Sequence, residues 1–262
     1  MYRLRSYPIL DRAVVALFGV YLFIYLFALP MLIFDLVPAW GTWMGGFLLI
    51  LQGSMLLLWL VGEHGVRGGV AALLIAGLAF LVEYVGVTTG WPFGHYRYTP
   101  ILGLKLLGAV PLPIPFAWLM VVPAALGISQ RLSRGWWQLW VAGLLALGLD
   151  LLIEPVAAYV VQYWTWLDSG PYYGVPTANF VAWGTTALLL AALCIGLTGA
   201  RRGRRRMLGW LPAVIYLLNL VQFMLVDLAH GYWAAALIGA VLLLVVGRAY
   251  HSERLLAAQQ LT

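Results

Sequence analysis

The chain has 262 residues, of which 64% are hydrophobic and only 9% charged, with a formal net charge of +6. Soluble domains carry roughly a quarter charged residues, so one large water-soluble core is excluded, because too few polar groups exist to cover it. The basic residues are almost all arginines in short segments between apolar runs. That placement fits membrane topology and speaks against nucleic acid as a partner, which would need a basic groove tracking phosphates.

The start, MYRLRSYPILDRA, is basic, but the apolar stretch after it is long and lacks a small-residue cleavage site. It reads as a first spanning helix and not as a cleavable signal. A span needs about 20 mainly apolar residues. Such runs lie near 11–30, 43–62, 68–87, 113–130, 136–160, 179–199, 208–227 and 231–248. The expected fold is an all-α, polytopic integral membrane helix bundle of about eight transmembrane helices, forming a single transmembrane domain over 1–262. Between the last two runs stand only Asp227, His230 and Gly231, so they form a hairpin or one broken element. The second case lowers the count to seven.

Charge asymmetry tests this layout, since cytoplasmic segments collect Arg and Lys. With the N-terminus inside, thirteen cations fall inside: Arg3, Arg5, Arg12, Arg67, Arg131, Arg134, Arg201, Arg202, Arg204, Arg205, Arg206, Arg248 and Arg254. Only Arg97 and Lys105 fall outside. Both termini are therefore expected on the cytoplasmic side of the cell membrane. The cluster RRGRRR at 201–206 reads as a topological stop, with membrane lipid headgroups as contacts.

Two loops on the outer side are long and rich in Gly, Pro, Trp and Tyr, at roughly 88–112 and 161–178. An aromatic belt accounts for scattered Trp and Tyr at helix ends. It does not account for Gly-Trp-Pro-Phe-Gly-His-Tyr-Arg-Tyr in a row. Irregular backbone at membrane depth needs protein or a cavity to satisfy its polar groups. Both loops are expected to cap a cavity on the outer side, one of them as a candidate re-entrant segment.

Ionisable groups within spans are costly and point to function. Glu83 lies late in the third span, Asp150 and Glu154 in the middle and outer part of the fifth, and Asp227 at the outer end of the seventh, so all four share the outer half. Asp150 and Glu154 are four apart and lie on one helix face. Two carboxylates so close in a poor dielectric cannot both ionise cheaply, so one should keep a proton that it can donate near neutral pH. Pro155 should loosen the helix and free a backbone carbonyl. The plainer alternative is that these acids bond to neighbouring helices or pair with Arg97 or Lys105. His95 shares the outer face with the acids as a candidate relay or positioning group. Asn219 and Gln222 read as helix–helix hydrogen-bonding groups, and Asn179 as such a group or an orienting one. No metal pattern, phosphate loop or nucleophile elbow is present, and Cys194 reads as a small buried residue.

The stretch GWPFGHYRYTPILGLKLLGAVPLPIPFAW (90–118), preceded by Glu83 and Gly86, resembles the carotenoid biosynthesis membrane protein family, which includes the CruF-type carotenoid hydratases. So does DLLIEPVAAYVVQYWTWLDSGPYYGVPTANFVAW (150–183). The set PFG-x-Y-x-Y with EPVA, W-x-W and YYGVP-x-x-N is fairly specific. The resemblance implies hydration of the terminal isopropylidene double bond of an acyclic carotenoid end, of lycopene, gamma-carotene or bisanhydrobacterioruberin type. The substrate would come from the bilayer, no cofactor would be needed, and other carotenoid-pathway enzymes would be natural associates. Protonation of the alkene gives a tertiary carbocation, and a base then activates water to attack it. Asp150 or Glu154 would be the proton donor, its neighbour or Glu83 the base, and His95 and Asn179 the orienting groups. Trp91, Phe93, Tyr96, Tyr98, Trp164, Trp166, Tyr172 and Tyr173 would supply aromatic faces to the cation. Arg97, Lys105 and Asp227 complete the expected substrate site. Two rivals are a membrane carotenoid prenyltransferase, for which Asp150-xxx-Glu154 would be half of a diphosphate site, and a proton-coupled carrier of a hydrophobic solute.

Overall fold

The computed structural model describes residues 8–199 and 208–259. Eight helices follow one another in them: α1 Pro8–Ile33, α2 Met44–His64, α3 Val66–Thr89, α4 Pro113–Leu132, α5 Trp137–Pro155, α6 Thr177–Thr198, α7 Leu211–Ala229 and α8 Trp233–Gln259. Seven are long and apolar enough to cross a bilayer, so the chain is a multi-pass, all-α membrane protein. The apolar part of α8, Trp233–Arg248, is shorter. It gives about 24 Å of helix, against a hydrocarbon core of roughly 30 Å. The last two apolar runs form a helical hairpin. The arginine cluster 201–206 lies outside the described residues, as do Arg3 and Arg5.

The helices end where backbone chemistry ends them. α4 opens with proline at its first position, where the missing N–H has no helical partner to lose. α3 stops at Gly90, whose left-handed backbone (φ 80°) turns its N–H back to the Gly86 carbonyl at 2.7 Å. α5 gives way directly after Pro155 to a π-turn over Val156–Val160, with the Val161 N–H bonding the Val156 carbonyl at 2.9 Å.

α4 is the hub of the bundle. It packs on α2, α3, α5, α6, α7 and α8 and is buried along most of its length. α5 packs on α4, α6, α7 and α8. α1 lies outside, against α2 and α7, and leaves Phe23, Phe27 and Met31 exposed. Membrane helices gain little from excluding water, so close packing of small residues carries much of their association. Gly53 of α2 is such a point, since a methyl group there would stand 2.4 Å from the Phe116 carbonyl oxygen of α4.

The two aromatic loops pair with each other rather than one of them re-entering alone. Strand β1 (Tyr96–Tyr98), from the α3–α4 loop, runs antiparallel to β4 (Trp164–Trp166) of the α5–α6 loop. A small hairpin of β2 (Lys105–Leu106) and β3 (Val110–Pro111) completes the first loop. The register sets Tyr96 opposite Trp166 and Tyr98 opposite Trp164. Strand alternation then turns both tyrosines inward while Arg97 is exposed between them. Beside this cap, the α1–α2 and α7–α8 loops are tied together by His230. Its Nε2 donates to Asp35 Oδ1 at 3.0 Å and its Nδ1 to the Val226 carbonyl at 2.9 Å.

Two predictions follow from this packing. Gly53→Ala should cost about 1–3 kcal/mol through overpacking and lower the melting temperature in detergent. Gly77→Ala, with nothing within 4 Å of the added methyl, should not. The second concerns His230. Burial pushes its imidazole down, but the Asp35 hydrogen bond and the Val226 carbonyl outweigh this and hold it above its ordinary value. Its stabilising effect is therefore complete below the ordinary imidazole range and lost as pH rises through the folded value. The melting temperature should fall across about pH 6–8, and Asp35→Asn should flatten that slope.

Candidate functional site

Beneath the β1–β4 ribbon lies a cavity of about 600 Å³, within the size range of small-molecule sites. Its wall is mainly apolar and comes from α1, α2, α4, the end of α5, α6 and α7. The exposed Phe23, Phe27 and Met31 of α1 belong to that wall, so the cavity opens through the flank of the bundle. Three acids line it: Asp35, exposed at its edge and bonded to His230, and two that are buried, Glu83 from α3 and Glu154 from α5, exposed by only 4% and 1%.

Each of the two buried acids is held by three donors. Glu83 Oε2 accepts from the Tyr96 and Tyr98 hydroxyls, both at 2.7 Å, and Oε1 accepts from Trp118 Nε1 at 3.0 Å. Glu154 Oε2 accepts from Trp164 Nε1 at 3.1 Å and Trp166 Nε1 at 2.9 Å, while Oε1 accepts from Asn179 Nδ2 at 3.0 Å. Four of these six donors come from the paired strands. The Tyr96 and Trp166 rings also meet at 5.2 Å, which joins the two acids through one aromatic contact. Among the described residues no cation pairs with either acid: Arg97 is exposed, and Lys105 Nζ donates to the Tyr98 carbonyl at 2.6 Å. The expected alternative of Arg97 or Lys105 neutralising the acids is thus not what the structure shows.

Asp150 stands one layer back. It is fully buried, its Oδ2 accepts from the same Asn179 Nδ2 at 3.2 Å, and its Oδ1 has no partner. Asn179 therefore bridges two acids that lie one helical turn apart. Pro155 lacks an N–H, so the Leu151 carbonyl loses its helical partner. The Tyr172 hydroxyl takes its place at 2.9 Å, which fixes the second loop to the helix that carries both acids.

Of the residues expected from the sequence, Glu83, Phe93, Tyr96, Tyr98, Glu154, Trp164, Trp166 and Asn179 meet at the cavity. The others do not line it. His95 faces outward, its Nδ1 donating to Asp168 Oδ2 at 2.9 Å and its backbone N–H to the same atom at 2.7 Å. These backbone and ring bonds hold the exposed Asp168 carboxyl below its usual range. They make His95 a fastener between the loops. Trp91 is exposed. The Tyr173 hydroxyl accepts from the Ala234 N–H at 3.0 Å, at the start of α8. Asp227 is fully buried away from the cavity, with both carboxyl oxygens unpartnered.

Among the cavity residues that escaped the sequence reading are Trp118 and Trp183. Their rings stack at 4.1 Å and 17°. The signal was present, because each distinctive stretch ends on one of these tryptophans.

The carotenoid biosynthesis protein family matches residues 44–246. Bisanhydrobacterioruberin hydratase of Haloarcula japonica is 32% identical over 193 residues, covering 68% of this chain. The chain spans 63% of the length of that curated relative. No solved structure matches the chain. The family match runs from the start of α2 into α8 and takes in both paired loops, Glu83, Glu154 and Asn179, so the chain belongs to the carotenoid biosynthesis protein family.

Proposed function

We propose that the protein is a carotenoid hydratase of the cell membrane, adding water to the terminal isopropylidene double bond of an acyclic carotenoid end. The observation that carries this is the pair of buried, cation-free carboxyl groups on the wall of an apolar, aromatic-roofed cavity. A curated relative, 32% identical to the chain, is a hydratase by name.

Hydration of a trisubstituted alkene needs a proton delivered to carbon and a base to deprotonate the attacking water. Glu154 is the proton donor. Its neighbour Asp150 shares the Asn179 amide with it, so ionising both would place two like charges one helical turn apart. Glu83 stands on a different helix with no second carboxyl on its own helix face, and two of its hydrogen bonds are short ones from the Tyr96 and Tyr98 hydroxyls at 2.7 Å, which suits it to the ionised, water-activating role. The proton passes from Glu154 to the less substituted alkene carbon, and the π electrons leave a tertiary cation. Water adds to that cation as Glu83 takes the released proton, and one tertiary alcohol results. Tyr96, Trp164 and Trp166 offer ring faces to the cation, and the opening beside α1 admits the polyene from lipid.

Mass spectrometry of pigments from a lycopene-making host tests the reading. The native chain should add the mass of one water. Glu83→Gln and Glu154→Gln should each lower conversion by about 10²-fold or more. Asp150→Asn should lower it less, and His95→Gln, outside the cavity, should leave it near native. Full conversion by both glutamine variants would remove the acid–base assignment. A product heavier by a five-carbon unit would instead make the enzyme a prenyltransferase.

A further inference from the structure

One stretch of the cavity wall is held less firmly than the rest. The other wall helices present buried side chains to it: Leu48 and Gln52 of α2, Trp118 of α4, Glu154 of α5, Asn179 of α6 and Asn219 of α7. In α1 the buried side chains are Val14, Tyr21 and Tyr25, all in the part nearer the N-terminus. There the Tyr25 hydroxyl also donates to the Leu218 carbonyl of α7 at 2.9 Å. From Leu26 to Trp40 no residue is buried, yet Phe27, Met31, Leu32, Val37, Pro38 and Trp40 all line the cavity.

Pro30 stands inside the helix just past that boundary. With no N–H to give, it leaves the Leu26 carbonyl without its helical hydrogen bond, so α1 bends most easily here. Beyond the helix, Asp35 turns the chain in a left-handed conformation (φ 53°), which aspartate tolerates better than most side chains. Its carboxylate accepts from His230 Nε2 at 3.0 Å, a bond that reaches to the α7–α8 turn. The other hydrogen bonds of Phe34–Thr42 among the described residues are local, such as Gly41 N–H to the Pro38 carbonyl at 2.8 Å and the Thr42 hydroxyl to the Ala39 carbonyl at 3.2 Å. A hinge, a loosely packed wall and a single long-range catch are the parts of a lateral gate. A wall that only closed the cavity would be packed like the others.

We propose that Met31–Thr42 is a strap over the lateral mouth of the cavity, hinged at Pro30 and caught by His230 on Asp35, which must open for a polyene to enter from the bilayer and for the product to leave. This rests on the reading of the cavity as the polyene's site and adds the step that precedes the chemistry. Asp35 and His230 are positioning residues that set the rates of entry and exit.

Two measurements test it. The first needs no ligand. Nitroxide labels at Leu36→Cys on the strap and Leu237→Cys on α8, both exposed positions, are placed in a Cys194→Ala chain in lipid nanodiscs. Asp35→Asn keeps the left-handed turn but loses the charge. In pulsed electron resonance it should raise the share of a second label distance roughly 3- to 10-fold over native, the weight of a charge-assisted hydrogen bond reduced to a neutral one. A single distance unmoved by Asp35→Asn overturns the proposal, whatever the chemistry of the cavity. The second measurement follows lycopene binding in mixed micelles by quenching of tryptophan fluorescence after rapid mixing. Asp35→Cys and His230→Cys are joined by a reducible bis-thiosulfonate spacer. The tether should slow association by about 10-fold or more, and reductant should restore it. In Asp35→Asn association and dissociation should rise together, with affinity near native. Equal rates with and without the tether overturn the proposal. So does a change in affinity at unchanged rates, which marks Asp35 as an ordinary wall residue. If the two-cysteine chain does not accumulate, the paired rates of Asp35→Asn decide. Gated binding of lycopene with no gain of water would overturn the hydratase reading and leave the strap standing.

Discussion

The cost of holding carboxyl groups inside a bilayer governs this structure. An acid at the centre of a spanning helix costs about 2.5–3.5 kcal/mol to insert, which is an upper bound for Glu83 and Glu154 near the ends of α3 and α5, and here neither has a cation beside it. What replaces the cation is a set of oriented dipoles. Each hydrogen bond to a charged group is worth about 1.5–3 kcal/mol, so the three donors to Glu83 are enough to offset the cost of its charge, while those to Glu154 fix its position. Aromatic O–H and N–H groups suit this purpose, because each brings a donor on a large apolar body that packs where lysine or arginine would need solvent.

That requirement explains the ribbon. Tyr96 and Tyr98 must reach α3 while Trp164 and Trp166 reach α5, and all four must face inward together. An antiparallel pair in the register Tyr96↔Trp166 does this, since alternate residues share a face. A slip of one residue would turn every ring outward and strand both acids. The cap is therefore part of the electrostatics of the site as well as its roof. Its outer fastenings, His95 to Asp168 and Tyr172 to Leu151, act on the site only by holding this register.

Pro155 shows the same economy. By withholding its N–H it opens the helix directly after Glu154 and allows the π-turn. It also leaves a carbonyl that the second loop can grip. A helix-breaking residue beside a buried acid thus serves both the placement of the acid and the anchoring of the loop that satisfies it.

Much of this was legible in the chain. Apolar runs of bilayer length predict α1–α7 to within about five residues, because hydrocarbon thickness dictates span length, whereas α8 continues to Gln259, eleven residues past its expected end. The scarcity of charge singles out Glu83, Asp150, Glu154 and Asp227 as exceptions that call for a reason. The two aromatic stretches point to a cap, and their pattern to the family. What the chain alone could not decide is which of these groups face the same space. His95 sits between cavity residues in sequence but points outward, since side chains on a short strand or turn alternate faces. Asp150 shares a helix face with Glu154 yet stands behind Asn179. Trp118, Trp183, Gln52 and Asn219 come from four different helices and become neighbours only when the bundle closes. Composition and local spacing determined that the chain crosses the membrane and which residues are too costly there to be incidental. Tertiary packing alone decided which of them meet, because contacts between helices far apart in sequence leave no local period to read.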